Sequence, residues 1–147
     1  MEAYIKTSIT IQAPISDVWD ALVNPDLTER YMFGCRVVSD WKPGAIVDWV
    51  GTVDGKEITF VTGYLIDFVP EQLLVYSVVD PNARYADNRA DHLVVSCALS
   101  ETTDGVALSI SQGDYTKVAD GTKRYGHGVA GWDQLLQTLK KVVEEKV

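Results

Sequence analysis

The chain has 147 residues, 46% of them hydrophobic and 23% charged, with 13 lysines and arginines against 21 acids for a formal net charge of -8. That size suits one domain burying about two thirds of its unfolded surface, and the acidic excess, with no arginine or lysine cluster to offset it, argues against nucleic-acid phosphate or an anionic membrane as partner. Apolar runs fall far short of the roughly 20 residues a membrane helix needs, and Met1-Glu2-Ala3-Tyr4-Ile5-Lys6 lacks the basic and apolar regions of a secretion signal, so the expectation is a soluble, cytoplasmic protein with no transmembrane segment.

Tyr4 to Ile11 alternates, with Ile5, Thr7, Ile9 and Ile11 on one side, and predicts an opening strand. Ala13-Pro14 ends it, and Ser16-Asp17-Val18-Trp19 begins a helix whose apolar stripe is Val18, Trp19, Leu22 and Val23. Asn24-Pro25 stops that helix and Asp26 to Arg30 permits a second short one, a broken pair leading to Tyr31 and Phe33. Lys42-Pro43-Gly44 marks a turn before a strand at Ile46 to Val50, and Asp54-Gly55 a tight hairpin into a long strand, Glu57 to Val69, where strict alternation puts Ile58, Phe60, Thr62, Tyr64, Ile66 and Phe68 on one face. Pro70-Glu71 turns the chain into Leu73 to Val79. A polar loop covers roughly Asp80 to Arg89, and two further strands, Asp91 to Leu99 and Gly105 to Tyr115, are joined across Glu101 to Asp104.

From about Asp120 to Val143 the period changes. Tyr125, Val129, Trp132, Leu135, Leu136, Leu139, Val142 and Val143 recur at three and four and predict one amphipathic helix. At about 1.5 Å per residue it is roughly 35 Å long, close to the diameter of a domain of this size, just under about 40 Å. The order strand, two short helices, meander, long helix is an α+β pattern: a curved antiparallel sheet of six to seven strands gripping the C-terminal helix, in a single domain over residues 1–147.

Ile9-Thr10-Ile11-Gln12-Ala13-Pro14 with Val18-Trp19-Asp20-Ala21-Leu22, Asn24-Pro25-Asp26, the Lys42-Pro43-Gly44 turn, and Gly131-Trp132-Asp133-Gln134-Leu135-Leu136-Gln137-Thr138-Leu139 together resemble the START/SRPBCC helix-grip superfamily, in particular the branch similar to the activator of the heat-shock-protein-90 ATPase. The resemblance spans almost the whole chain and implies the helix-grip fold. It implies little about function, because members bind lipids and hormones, catalyse cyclisations, or regulate partner proteins, including in the stress response. Two positions depart from the branch: Tyr31 stands where a tryptophan is usual, and the strand before the long helix ends Ser111-Gln112-Gly113-Asp114-Tyr115 instead of in a more histidine-like pattern.

Gly126, Gly128 and Gly131 interrupt the start of the long helix, each costing roughly 1 kcal/mol relative to alanine. They point to close backbone approach, fraying, or a pocket wall. For a cavity between sheet and helix the candidate ligand-binding residues are Phe60, Tyr64, Tyr76, Gln112, Tyr125, Val129 and Trp132, with Tyr31 and Phe33 near the mouth: rings for an apolar body, and hydroxyl, amide and indole N–H groups for a polar end. Each of these is also an ordinary core residue type.

Arg84 and Arg89 with Tyr85 could clamp a carboxylate at an entrance, or belong to a solvated loop balanced by Asp80, Asp87 and Asp91. His127 is the one histidine placed to suggest a general base, with a surface role as the plainer reading. With His92 the only other histidine and Cys35 and Cys97 expected as reduced, buried thiols, neither a metal site nor a cofactor is expected. The leading reading is non-covalent binding of a small hydrophobic or amphipathic molecule. A regulatory protein-interaction module and an enzyme using the same cavity are the alternatives, a catalytic role being the less favoured, and homodimer formation through an edge strand stays open.

Overall fold

A computed structural model describes residues 1–146. The elements in chain order are β1 (Tyr4–Ile11), α1 (Ile15–Val23), α2 (Pro25–Tyr31), β2 (Arg36–Val38), β3 (Ile46–Val53), β4 (Lys56–Val69), β5 (Leu73–Val78), β6 (Leu93–Thr102), β7 (Gly105–Gly113) and α3 (Gly121–Lys146). One seven-stranded antiparallel sheet results, in the order β1-β7-β6-β5-β4-β3-β2. The α+β helix-grip expectation holds. Three-residue β2 is the strand that alternation did not mark, since so short a segment carries no period.

The helical pair forms where its stop signals stand. Asn24 ends α1 and opens α2, its side-chain oxygen accepting the Asp26 N–H at 3.0 Å, while Pro25 occupies the first helical position, where no N–H is needed. Fully buried Thr28 then ties α2 to the sheet: its hydroxyl donates to the Pro25 carbonyl and accepts the Val37 N–H at 3.0 Å. This fixes where the α2–β2 loop, residues 32–35, lies against the sheet.

β4 departs from the expected single face. Trp49 pairs with Val61 and Val50 with Thr59, so Phe60 is an extra residue; Leu65 pairs with Tyr76 and Asp67 with Val75, so Ile66 is another. Each bulge moves the alternation by one residue. Phe60 and Phe68 therefore lie on the concave side, Phe68 packed edge-on against Trp19 with centroids 5.3 Å apart, whereas Thr62 and Tyr64 lie on the convex side beside Asp48 and His92.

The main core joins α1 and α2 through the concave face of the sheet to the C-terminal half of α3, where Leu135, Leu136, Leu139, Val142 and Val143 are buried. The helix end is fastened to β1 by the Lys140 ammonium donating to the Thr10 carbonyl at 2.6 Å and by the Gln12 N–H donating to the Glu144 carboxylate at 2.8 Å. Nearer the helix start a second, smaller cluster forms from Ile5, Leu93 and Tyr115, with Tyr125 and Trp132 packed against it. Among the described residues no helix is long and apolar enough to cross a membrane.

Candidate functional site

Between the two clusters the sheet and α3 separate. Core residues on strands are held by ladder hydrogen bonds, and a straight helix cannot follow a curved sheet along its whole length. The result is a cavity of about 440 Å³, within the usual range for small-molecule sites. Its floor is the concave sheet face: Trp49 of β3, Phe60 and Val61 of β4, Tyr76 and Val78 of β5, Val95 of β6 and Gln112 of β7. Trp132 and Leu135 of α3 close one side, and Met32, Phe33 and Cys35 of the α2–β2 loop another.

Phe33 is three-quarters exposed (75%) and holds a left-handed backbone, φ 54°, followed by Gly34 at φ 82°. For a bulky residue such a conformation costs on the order of 1–3 kcal/mol. An exposed, strained aromatic at the mouth of an apolar cavity has no part in core stability, since the folded protein gains little from where this ring sits.

Polar groups in the wall are few. The Trp132 indole Nε1–H donates to Gln112 Oε1 at 2.5 Å, tying α3 to β7. Tyr76 and Trp49 pack with centroids 5.9 Å apart. Burial raises the Tyr76 phenol well above its ordinary 10.0, with neighbouring Cys97 and Tyr31 adding to the effect, and burial raises Cys35 above 9.0. Both groups stay neutral at physiological pH, so the cavity wall bears no charge.

The structure brings five of the nine candidate residues together in this wall: Phe33, Phe60, Tyr76, Gln112 and Trp132. Four lie elsewhere. Tyr31 is buried deeper, its hydroxyl donating to the Ala21 carbonyl at 2.7 Å, and it faces a narrow cleft of about 10 Å³ in the core instead of the mouth. Tyr64 is turned to the convex face by the Phe60 bulge, where the Arg89 guanidinium stacks 4.2 Å from its ring centroid. Tyr125 packs edge-on against Tyr115 at 5.2 Å in the smaller cluster, and Val129 is about half exposed on the outer side of α3. Trp49, Val61, Val78, Val95, Met32, Cys35 and Leu135 line the cavity without having been singled out. Trp49 could have been found by carrying the Asp54-Gly55 hairpin register across from β4, which sets it opposite Phe60; the bulge moves its pairing on to Val61.

The other polar candidates are also placed. Arg84 pairs with Asp120 at 3.3 Å, and both Arg84 and Arg124 lie over the Tyr85 ring, so this loop braces the start of α3 and contributes nothing to the cavity wall. His127 is exposed. His92 is fixed through both ring nitrogens, Nδ1 against Ser77 Oγ at 3.0 Å and Nε2 against the Ala86 carbonyl at 2.8 Å. Cys35 and Cys97 are free, buried thiols. Among the described residues no group of three or more histidine, cysteine or acidic side chains is arranged to hold a metal ion.

The solution structure of ChR145 from Cytophaga hutchinsonii is 34% identical, with a TM-score of 0.75 over 99% of this chain and 98% of that one. Two more distant structures share the fold: NE0264 from Nitrosomonas europaea, 14% identical with a TM-score of 0.73 over 98% and 96% of the two chains, and the Aha1 dimer from Colwellia psychrerythraea, 13% identical with a TM-score of 0.71 over 96% of each. No curated protein matches. The family model described as Activator of Hsp90 ATPase homolog 1-like protein matches residues 12–144, from the end of β1 through nearly all of α3 and so through every wall of the cavity, and the chain belongs to that family.

Proposed function

We propose that this protein binds a small hydrophobic or amphipathic molecule, non-covalently, in the cavity between the sheet and α3. The observation that carries the reading is the cavity itself: about 440 Å³ walled by apolar side chains, with a few oriented polar groups and an exposed, strained phenylalanine at its mouth. Protein interiors pack to crystal-like density, so an apolar cavity of that size forfeits contact energy along its lining. A guest that fills it restores those contacts and leaves water at the same time. The lining has no carboxylate, imidazole or ammonium group to move a proton near neutral pH, so binding accounts for the site without a reaction.

Native mass spectrometry of freshly purified protein, followed by denaturing extraction, tests this. A small molecule should leave with unfolding, and the Val78→Trp variant, which fills the cavity from its floor, should emerge without it. Folded wild-type protein that carries no guest and gains none from a panel of apolar probes sinks the reading.

A second reading is a regulatory protein-interaction module. The observation favouring it is the exposed apolar rim of Phe33, Ile58 and Phe60, alongside the family's description and the dimeric state named for the Colwellia protein. Under that reading Ile58→Ser, outside the cavity wall, would abolish capture of a protein partner, or self-association, while leaving small-molecule content unchanged.

A further inference from the structure

The Trp132 to Gln112 hydrogen bond has a consequence for the kind of guest. An indole N–H can only donate, so the glutamine atom 2.5 Å from it is the carbonyl oxygen, and the NH2 group is turned the other way. Among the described residues that is the one hydrogen bond of the Gln112 side chain. Among the described residues the buried polar side-chain atom without a partner is the Tyr115 hydroxyl, in the smaller cluster; Gln112 is half-buried and lines the cavity, which leaves its amide N–H to the cavity side.

Resting on the cavity's being a ligand site, we propose that its guest is uncharged over its buried part and carries a hydrogen-bond acceptor, a carbonyl or ether oxygen, that receives the Gln112 amide N–H. An ionised carboxylate in the same place would exchange its hydration for neutral donors alone, with no cationic side chain in the wall, which does not offset the desolvation of a charge. The chain's net charge of -8 opposes an anion further. A cation would meet the same donor with no carboxylate in the wall to pair with. Trp132 acts as the positioning residue: by holding the glutamine oxygen it fixes which end of the amide faces the guest.

The test uses three probes of nearly equal shape: 2-acetylnaphthalene, 2-ethylnaphthalene and 2-naphthoate. Each is titrated at neutral pH into isotopically labelled full-length protein while the Trp49 and Trp132 indole and Gln112 side-chain amide resonances are followed. The ketone should bind about ten-fold more tightly than the hydrocarbon, the scale of one hydrogen bond, and should shift the Gln112 NH2 signals. The carboxylate should bind at least ten-fold more weakly than the ketone. Gln112→Leu should make ketone and hydrocarbon equal. If carboxylate and ketone bind alike, or ketone and hydrocarbon are already equal in the wild type, the inference is overturned while the cavity remains a ligand site. If none of the three moves Trp49 or Trp132, both fall together.

Discussion

The two halves of α3 share one continuous helix and have opposite surroundings. From Trp132 onward the apolar side chains are buried in the main core, and Leu139 is only 1% exposed. Before Trp132 the helix is largely solvated and touches the rest of the protein at a few points: Tyr125 on Tyr115, Gly128 over Ile5 and the Tyr115 hydroxyl, and Arg124 donating to the Asp91 carbonyl at 2.7 Å. The same periodicity therefore serves two purposes. One half closes a core, and the other spans the end of the sheet and leaves room beneath it. Helical period alone does not distinguish them, because it reports which residues share a side and is silent on what that side meets.

Leu139→Ala should break the difference most strongly. Removal of a fully buried leucine costs about 2–5 kcal/mol, read as a lowered midpoint in chemical denaturation, whereas Val129→Ala on the exposed half should stay within about 0.5 kcal/mol. Equal effects would mean the two halves are not energetically distinct.

Alkaline pH should probe the buried half next. Burial raises Cys97 from 9.0 to about 12, and raises Tyr31 and Tyr76 above 10.0, all in the core on which that half of α3 packs. These groups keep their protons in the folded state and lose them first in the unfolded state. Their stabilisation is thus complete below pH 9.0 and is lost as pH rises toward 12, on the order of 1.4 kcal/mol per pH unit for each group titrating only in the unfolded state. Urea denaturation from pH 8 to 11 measures it, and a flat profile would contradict the burial of these groups.

Within the solvated half the three glycines should separate. A β-carbon on Gly128 would come within 2.7 Å of both Ile5 Cδ1 and the Tyr115 hydroxyl, whereas one on Gly126 or Gly131 would meet nothing within 4 Å. Gly128→Ala should destabilise by about 1–3 kcal/mol, as overpacking does, and Gly126→Ala and Gly131→Ala should each stabilise by up to about 1 kcal/mol through helix propensity. Thermal denaturation of the three variants decides it. The smallest effect belongs to the helix end: Gln12 and Lys140 hold the Glu144 carboxylate below its ordinary 4.5, so its contribution is present above that pH and fades as pH falls through the lowered value. Because Glu144 is only partly buried, Glu144→Gln should cost little, seen only as a slightly flatter acid limb.

Much of the fold was legible in the residues, for identifiable reasons. Asn24-Pro25 broke the helical pair where a proline must, Lys42-Pro43-Gly44 and Asp54-Gly55 placed their turns, and β1 alternated without interruption. The candidate site was legible wherever alternation ran unbroken, as at Gln112 of β7 and Tyr76 of β5. It failed at Tyr64, because the extra residue at Phe60 moved the phase, and a bulge leaves no local mark when the bulged residue is itself a good strand former. It failed at Tyr31 and Val129 because helix facing relative to a distant cavity depends on how α2 and α3 dock.

By itself, then, the sequence determined the order and kind of every element but the three-residue β2, and the apolar side of α3, since local propensities, turn residues and period act within a few positions of the chain. Only the tertiary structure decided that the sheet and α3 part company ahead of the main core, that Phe33 stands strained at the opening, and that Trp132 of α3 holds the side-chain oxygen of Gln112 in the cavity wall. Those outcomes depend on sheet curvature, bulge position and the path of a straight helix over a curved surface, which are set by the packing of residues far apart in the chain.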